Sequence, residues 1–308
     1  MFESIICLLD NFLRTEVLPG IMKPLIKYRG GKTKEIRYLQ KHIPYYCGRY
    51  IEPFFGGGAL YFYLQPRKAI ISDINSKLMA FYSGVKSDFE TLRKELDEIE
   101  ELYKINRRNF EVLKSKTPDQ RVDDGNEALY YQIRDMFNGL TTKKYSDALL
   151  YFFINKTAYS GMIRYNAKGE FNVPYGRYPN LNTTLVTEAH SILLSRAEIY
   201  NLDYKDVFNV AKPDDFMFLD PPYDCVFSDY GNKEYEEGFD EKDHIELAHN
   251  FRALKCQALM VIGRTSLTER LYGDMIVDEY GKSYAVNIRN RFKSSASHIL
   301  ISNYGNVE

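Results

Sequence analysis

Between residues 48 and 65 the chain passes from an apolar run, GRYIEPFF, through three consecutive glycines, Gly56 to Gly58, into ALYFYLQ. An apolar stretch stopped by glycines and followed by helix formers reads as a strand over Gly48 to Phe55, a tight turn, and a helix over Ala59 to Gln65. The same order repeats at once. Lys68 to Ser72 (KAIIS) reads as a short strand stopped by Asp73, and Asn75 to Val85 as a helix with Asn75 or Ser76 near its cap. Two strand-then-helix units predict a parallel sheet, with nucleotide-sized ligands at the strand ends.

Downstream the texture changes. From about Glu90 to Phe153, mixtures such as TLRKELDEIEELYKINRRNFEVLK read as helices and have the character of an insertion. Residues 159 to 178, YSGMIRYNAKGEFNVPYGRY, alternate aromatic and polar positions around Lys168-Gly169, the pattern of a hairpin with a glycine turn. Strands are expected again at Glu198 to Leu202 and at Asp215 to Leu219, the latter running into Asp220. A helix over Lys242 to Leu254, a strand over Ala258 to Gly263 and a last strand over His298 to Tyr304 complete the reading. The predicted fold is α/β: a doubly wound, Rossmann-like sheet from residues 20–88 and 190–308, interrupted by a helical insertion over 89–189 that carries the hairpin.

With 308 residues, 44% of them hydrophobic, the chain can bury a full core. Its apolar runs, such as Ile5 to Leu9, are too short for a bilayer span, and Glu3 and Asp10 around that run are unlike a secretory leader, so the start is expected to be retained. Cys7, Cys47, Cys225 and Cys256 are far apart with no C-x-x-C pair and read as reduced thiols. His244 and His249 read as helix-packing residues, and no zinc-ligand grouping is seen. The net charge of −1 places any affinity for a polyanion in local patches. Residues 102–180 hold 13 Lys/Arg against 8 Asp/Glu, while residues 220–246 hold 10 Asp/Glu against 2 Lys/Arg, an asymmetry that solvated helix faces also produce and that alone decides little. Tyr159, Arg164, Tyr165, Tyr175, Arg177 and Tyr178 interleave rings with cations in the first of these stretches, which suits base stacking beside phosphate contacts.

The sharpest chemical signal is Asp220-Pro221-Pro222-Tyr223, directly after an apolar strand. An amino group on a heteroaromatic ring is a poor nucleophile, because its lone pair is conjugated into the ring. A carboxylate such as Asp220 and a backbone carbonyl such as that of Pro221 can each accept an N–H bond and turn that nitrogen toward an electrophile. Prolines fix φ and stiffen the turn, and Tyr223 can stack on a base. Glu52-Pro53-Phe54-Phe55-Gly56-Gly57-Gly58 lets backbone approach a cofactor closely. Asp73 stands where an acid accepts ribose hydroxyl bonds, a position that a helix or turn cap also explains. Arg29-Gly30-Gly31-Lys32-Thr33 is not a P-loop, because Ile26 occupies the place of its first glycine.

Taken in order, KYRGGK (27–32), EPFFGGGA, SDIN with Asp73, MIRYNAKGEFNVPYGRY and DPPY are similar to the motifs of the Dam-type DNA adenine methyltransferases. The similarity spans roughly Pro24 to Tyr223 and continues more weakly to Tyr304. It implies S-adenosylmethionine as cofactor, with Tyr28, Gly31, Lys32, Glu52, Phe54 and Gly56 as its neighbours and Asp73 on its ribose. It further implies that 201–204 reaches the cofactor's adenine, through Asp203 and Tyr204 with Asp206 as a second candidate, and that Asp220 to Tyr223 are catalytic, Asp220 also bordering the cofactor. Residues 89–189 become a target-recognition part: Arg164 reads a guanine edge, Tyr159 contacts or wedges into the base stack, and Pro174 and Arg177 line the DNA, with Ser160 and Asn166 in the same hairpin. Ser160 stands where GATC-modifying members commonly carry asparagine, so GATC is not fixed as the target. Arg29 is unusual in its loop, and Tyr28 stands where tryptophan is frequent.

The implied reaction is methyl transfer in line from the sulfonium to N6 of an adenine flipped out of double-stranded DNA, with no metal and no covalent enzyme intermediate. Alternatives left open are transfer to cytosine N4, which the same acceptor geometry serves, and a DNA-binding module without catalysis, for which a degenerate DPPY would be the mark. A restriction endonuclease sharing the site is a candidate partner, no oligomer is required, and no membrane is involved. The family implies the cytoplasm of a bacterium, or a virus in a bacterial host.

Overall fold

The computed structural model describes residues 20, 22–223, 239–283 and 295–305, without the side chains of 282, 283, 295 and 296. The run Ile5 to Leu9 with Glu3 and Asp10, the thiols of Cys7 and Cys225, and the part of the acidic stretch over 224–238 lie outside the described residues. Seven strands form one sheet: β1 Tyr50–Glu52, β2 Ala69–Ser72, β3 Ala197–Tyr200, β4 Phe216–Leu219, β5 Gln257–Gly263, β6 Ile276–Ser283 and β7 Ser295–Ser302. Their order is β3-β2-β1-β4-β5-β7-β6. The first five pair parallel to their neighbours, and β7 runs antiparallel between β5 and β6.

Ten helices accompany the sheet among the described residues: α1 Ile36–Leu39, α2 Ala59–Leu64, α3 Ser76–Ser87, α4 Phe89–Lys116, α5 Gly125–Phe137, α6 Asp147–Thr157, α7 Glu188–Ser195, α8 Tyr204–Asn209, α9 Glu241–Ala253 and α10 Ser266–Tyr272. Each strand sends alternate side chains to opposite faces, as a pleated backbone must. Tyr50, Ile71, Phe216, Phe218, Leu259 and Val261 join one core; Ile51, Ile70, Met217, Leu219, Met260 and Ile262 join the other. Burial on both faces is what makes β1, β2, β4 and β5 read as continuous apolar runs. Helices α3 to α7 share the first core, and α8 and α9 border the second. Along α4, Leu92, Leu96, Ile99 and Tyr103 are buried in a single stripe at helical spacing, so this charged helix docks by one face.

Segment 159–178 folds back on itself with only two isolated antiparallel bridges, Ala158 with Tyr175 and Tyr165 with Phe171. Its tip is tied by Asn166, whose Oδ1 accepts from the N–H groups of Lys168 and Glu170, at 2.9 and 3.0 Å. Gly169 takes the left-handed conformation there, at φ 85°. At the other end of the sheet the Asp215 carboxylate accepts from Arg49 N–H at 2.7 Å and from its guanidinium at 2.7 Å, latching the start of β4 to the start of β1.

One strand and one cysteine depart from the sequence reading. β6 was not anticipated, because IVDEYGKS carries charges at mid-strand and its register breaks between Ile276 and Asp278; such charges suit a sheet edge. Cys256 is a free, buried thiol, but Cys47 is disulfide-bonded, which corrects the expectation of reduced thiols at that position. Spacing along the chain carries no information on which distant thiols meet.

Candidate active site

The strand order reverses direction between β1 and β4, and a crevice opens at their carboxyl ends, where open α/β sheets hold ligands. A cleft of about 860 Å³, measured out to its mouth, lies there. Its walls are the 28–32 loop, the 52–60 turn, Asp73 and Ile74, Leu202 and Tyr204, and residues 220–223.

The glycine turn is built for close approach. Gly56 and Gly58 sit at φ 47° and 62°, a region that side-chain-bearing residues rarely adopt. A Cβ on Gly56 would come within 2.6 Å of Cε1 of Tyr28, whose ring also lies against Gly57. Gly56 N–H donates to Asp73 Oδ2 at 2.9 Å, and Tyr82 donates its hydroxyl to Gly56 O at 3.1 Å. Asp73 Oδ1 accepts from Asn75 N–H at 3.0 Å, so the cap explanation of this residue holds. Each carboxylate oxygen has two lone pairs, so capping leaves acceptor capacity for a further donor. Asn201 donates to the carbonyls of Asp73 and Ile74, both at 2.9 Å, stitching the β3 exit to the β2 exit.

Glu52, only 3% exposed, ends β1 beneath the turn and accepts from the Tyr50 hydroxyl at 2.8 Å. Burial holds its carboxyl well above the usual range; the Tyr50 bond and Lys32 act the other way, and the nearby charges of Asp220 and Asp73 add to the rise. Lys32, also 3% exposed, donates to Asp220 Oδ2 at 2.6 Å and to Gly30 O at 2.7 Å. The first loop therefore pins the carboxylate that closes β4. Lys32 Nζ also stands 5.1 Å from the centre of the Tyr223 ring, a cation–π distance. Tyr223 rests on Gly263, where a Cβ would be 3.5 Å from its ring, and meets the His298 ring edge-on at 5.0 Å.

Of the positions singled out for a cofactor, Tyr28, Gly31, Lys32, Glu52, Phe54, Gly56, Asp73, Tyr204 and Asp220 all border this one cleft. Phe54 and Tyr204 stack at 5.3 Å to form a flat aromatic wall. Asp203 does not line it; its carboxylate caps α8 by accepting from Lys205 N–H at 2.9 Å. Asp206 is in the first turn of α8 and is likewise absent from the lining. Asp220, Pro221, Pro222 and Tyr223 form the opposite wall.

The hairpin positions lie elsewhere. Tyr159 is 51% exposed, and Ser160, Arg164, Pro174 and Arg177 are also exposed, while Asn166 is half-buried in its turn. Arg164 is steadied by Asn172, donating from Nε to Oδ1 at 2.8 Å. Ser160 and Arg177 both take φ 55° without being glycine. Lys156, at the end of α6, is pushed down to about 8 by burial and by the ammonium of Lys27.

Sequence reasoning missed the group behind Tyr223. Glu35 Oε2 accepts from the Tyr280 hydroxyl at 2.5 Å and lies 3.0 Å from His298 Nδ1, all three residues being buried. They come from three distant segments, and no local pattern announces them.

A mixed seven-stranded sheet with a glycine turn after β1, an acid after β2 and DPPY after β4 defines the Rossmann-like methyltransferase class. Residues 28–286 match the D12 class N6 adenine-specific DNA methyltransferases, and the chain belongs to that family. It is 32% identical over 291 residues to Type II methyltransferase M.CviBI of Paramecium bursaria Chlorella virus NC1A, covering 92% of this chain and 100% of the relative. It is 32% identical over 308 residues to Type II methyltransferase M.MjaIII of Methanocaldococcus jannaschii, covering 92% and 99%. It is 28% identical over 285 residues to the Retron Ec67 DNA adenine methylase of Escherichia coli, covering 91% and 90%. The activity is thus adenine-N6 DNA methylation, which sets aside cytosine N4 and a module without catalysis. No helix among the described residues is long and apolar enough to cross a membrane.

Proposed function

We propose that the chain takes a methyl group from S-adenosylmethionine and places it on N6 of an adenine flipped out of duplex DNA. The observation that carries this reading is the shared cleft: Asp220 faces the same space as Glu52, Gly56 and Asp73. The cofactor's chemistry fits these walls. A close-approach glycine turn, a stacked aromatic pair and an acid with spare acceptor capacity suit an amino acid, an adenine and a ribose respectively. In this assignment Asp73 holds the ribose, the Phe54 and Tyr204 side takes the adenine, and Glu52 with the 28–32 loop holds the amino-acid end. When bound, the cofactor supplies a methyl carbon already activated by a positive sulfur.

The remaining work belongs to the chain. Asp220 accepts one N–H of the target amine and the Pro221 carbonyl accepts the other, which turns the nitrogen lone pair out of conjugation and toward the cleft. Lys32 keeps the carboxylate placed at 2.6 Å before the base arrives. Tyr223 stacks on the extruded base, a contact worth about 1–3 kcal/mol against the few kcal/mol that flipping costs. Residues 89–189 serve as the DNA-recognition part, with Arg164 on a guanine edge and Tyr159, Ser160, Pro174 and Arg177 along the duplex. Asn166 shapes the turn that presents them. The type II names of two relatives support a restriction endonuclease reading the same site, and a cytoplasmic setting in a bacterium or a virus-infected host goes with it.

Asp220→Ala tests the assignment. Methyl transfer should fall by at least about 1,000-fold, comparable to the loss of a preorganised acceptor, while S-adenosylhomocysteine still binds. Turnover within tenfold of the parent enzyme would remove Asp220 from this role.

A further inference from the structure

Near its carboxyl end α6 buries Phe153, Ile154, Asn155 and Thr157, and it leads directly to the segment Tyr159 to Gly161. Of these, Asn155, 5% exposed, is the one bonded to the 27–32 loop. Its Nδ2 donates to Lys27 O at 2.7 Å, and its Oδ1 accepts from Lys27 N–H at 2.8 Å, across 128 positions of sequence. A side-chain amide that takes both the N–H and the C=O of one residue fixes that backbone as a neighbouring strand would.

Lys27 is held from the hairpin side as well. Its ammonium lies 4.3 Å from the centre of the Tyr178 ring. Its aliphatic stem passes beneath Gly161, where an added Cβ would be 3.2 Å from Lys27 Cδ. The next residue, Tyr28, lies on Gly56 and Gly57 and closes the loop turn by accepting from Gly31 N–H at 3.1 Å. Lys32, which pins Asp220, follows immediately. A continuous run of contacts therefore joins both ends of the 159–178 hairpin to the glycine turn and the catalytic carboxylate, and Asn155 is its hydrogen-bonded joint.

We infer that Asn155 is a positioning residue that sets the DNA-facing hairpin and the 27–32 loop in register, so that filling the cleft and engaging a duplex strengthen each other. This rests on the assignment of the cleft to the cofactor and of the hairpin to DNA. Displacing Tyr159 to Gly161 on a duplex moves the end of α6, hence Asn155, hence the backbone that carries Tyr28. Coupling of this kind is reciprocal by thermodynamic necessity.

The test is a titration of S-adenosylhomocysteine by calorimetry into the full chain, alone and with a saturating linear plasmid duplex. For the parent chain the affinity should rise about tenfold when DNA is present, within the usual range of coupling factors. For Asn155→Ala the ratio should fall to about one, while affinity without DNA stays within about threefold and thermal unfolding remains cooperative. Asn155→Asp keeps the acceptor and the shape but loses the donor, and should give a ratio between those two; it serves if the alanine variant does not fold. A parent ratio of one, or a ratio kept in both variants, overturns the inference and leaves the functional assignment standing. A parent chain that binds neither probe overturns the assignment and the inference with it.

Discussion

The glycine turn after β1 and the hairpin over 159–178 both bend the backbone into the left-handed region, but they do so in opposite ways. In the turn the residues with positive φ are Gly56 and Gly58, buried and tied by Asp73 and Tyr82. In the hairpin, Ser160 and Arg177 accept the same conformation with side chains attached and exposed, on a segment that Tyr103, Tyr130 and Asn138 tie to the helices beneath. A left-handed serine or arginine costs free energy that a glycine does not, and such positions persist where the side chain is worth presenting. In the proposed assignment the turn is a shape made for one ligand, whereas the hairpin is a display of side chains whose identity can change while the fold stays. That difference explains why Ser160 alters what is expected of the target site and leaves the cleft untouched.

Gly56→Ala attacks the turn and should have the largest effect of the variants that sharpen this contrast. The left-handed conformation alone costs a non-glycine residue about 1–2 kcal/mol, and the new methyl would press on the Tyr28 ring. Affinity for S-adenosylhomocysteine should fall by more than tenfold, with retention on a plasmid duplex unchanged; equal losses of both would erase the contrast between the regions. Arg164→Ala attacks the display. Discrimination at one base should relax by about 1–3 kcal/mol while cofactor affinity holds, and sequencing of the modified positions reads this out. An unaltered site preference would take Arg164 out of base recognition.

The smallest effect is on stability. Glu52 has a folded-state pKa above its unfolded value, so the folded chain holds that proton more tightly and loses stability as pH rises from the ordinary carboxylate range through the raised value. Glu52→Gln should therefore melt higher than the parent at pH 8, with a smaller gain at pH 5, and should bind S-adenosylhomocysteine more weakly. Parallel melting curves at both pH values would mean that Glu52 carries no such cost.

The parts of this architecture with a local cause were legible in the letters. β1, β2, β4 and β5 announced themselves because both faces are buried, although β1 is shorter than its apolar run, which continues past Glu52 into the turn. The turn glycines, Asp73 and DPPY were readable because strand ends in a parallel sheet converge by topology. β6 escaped because its charges mask its period, and Cys47 because disulfide pairing leaves no local trace. Glu35, Tyr280 and His298 escaped for a related reason: their meeting spans up to 263 positions and depends on the whole sheet being assembled. Asp203 shows the converse, since a carboxylate ahead of a helix is first of all a cap.

The most direct test of the account is to incubate the purified chain with S-adenosylmethionine labelled in its methyl group and unmodified plasmid DNA, then digest the DNA to nucleosides and separate them by mass spectrometry. The label should appear in N6-methyladenosine's deoxy form and at a limited set of sequence positions. Label in N4-methylcytosine, or DNA that stays unlabelled while the cofactor binds, would contradict it.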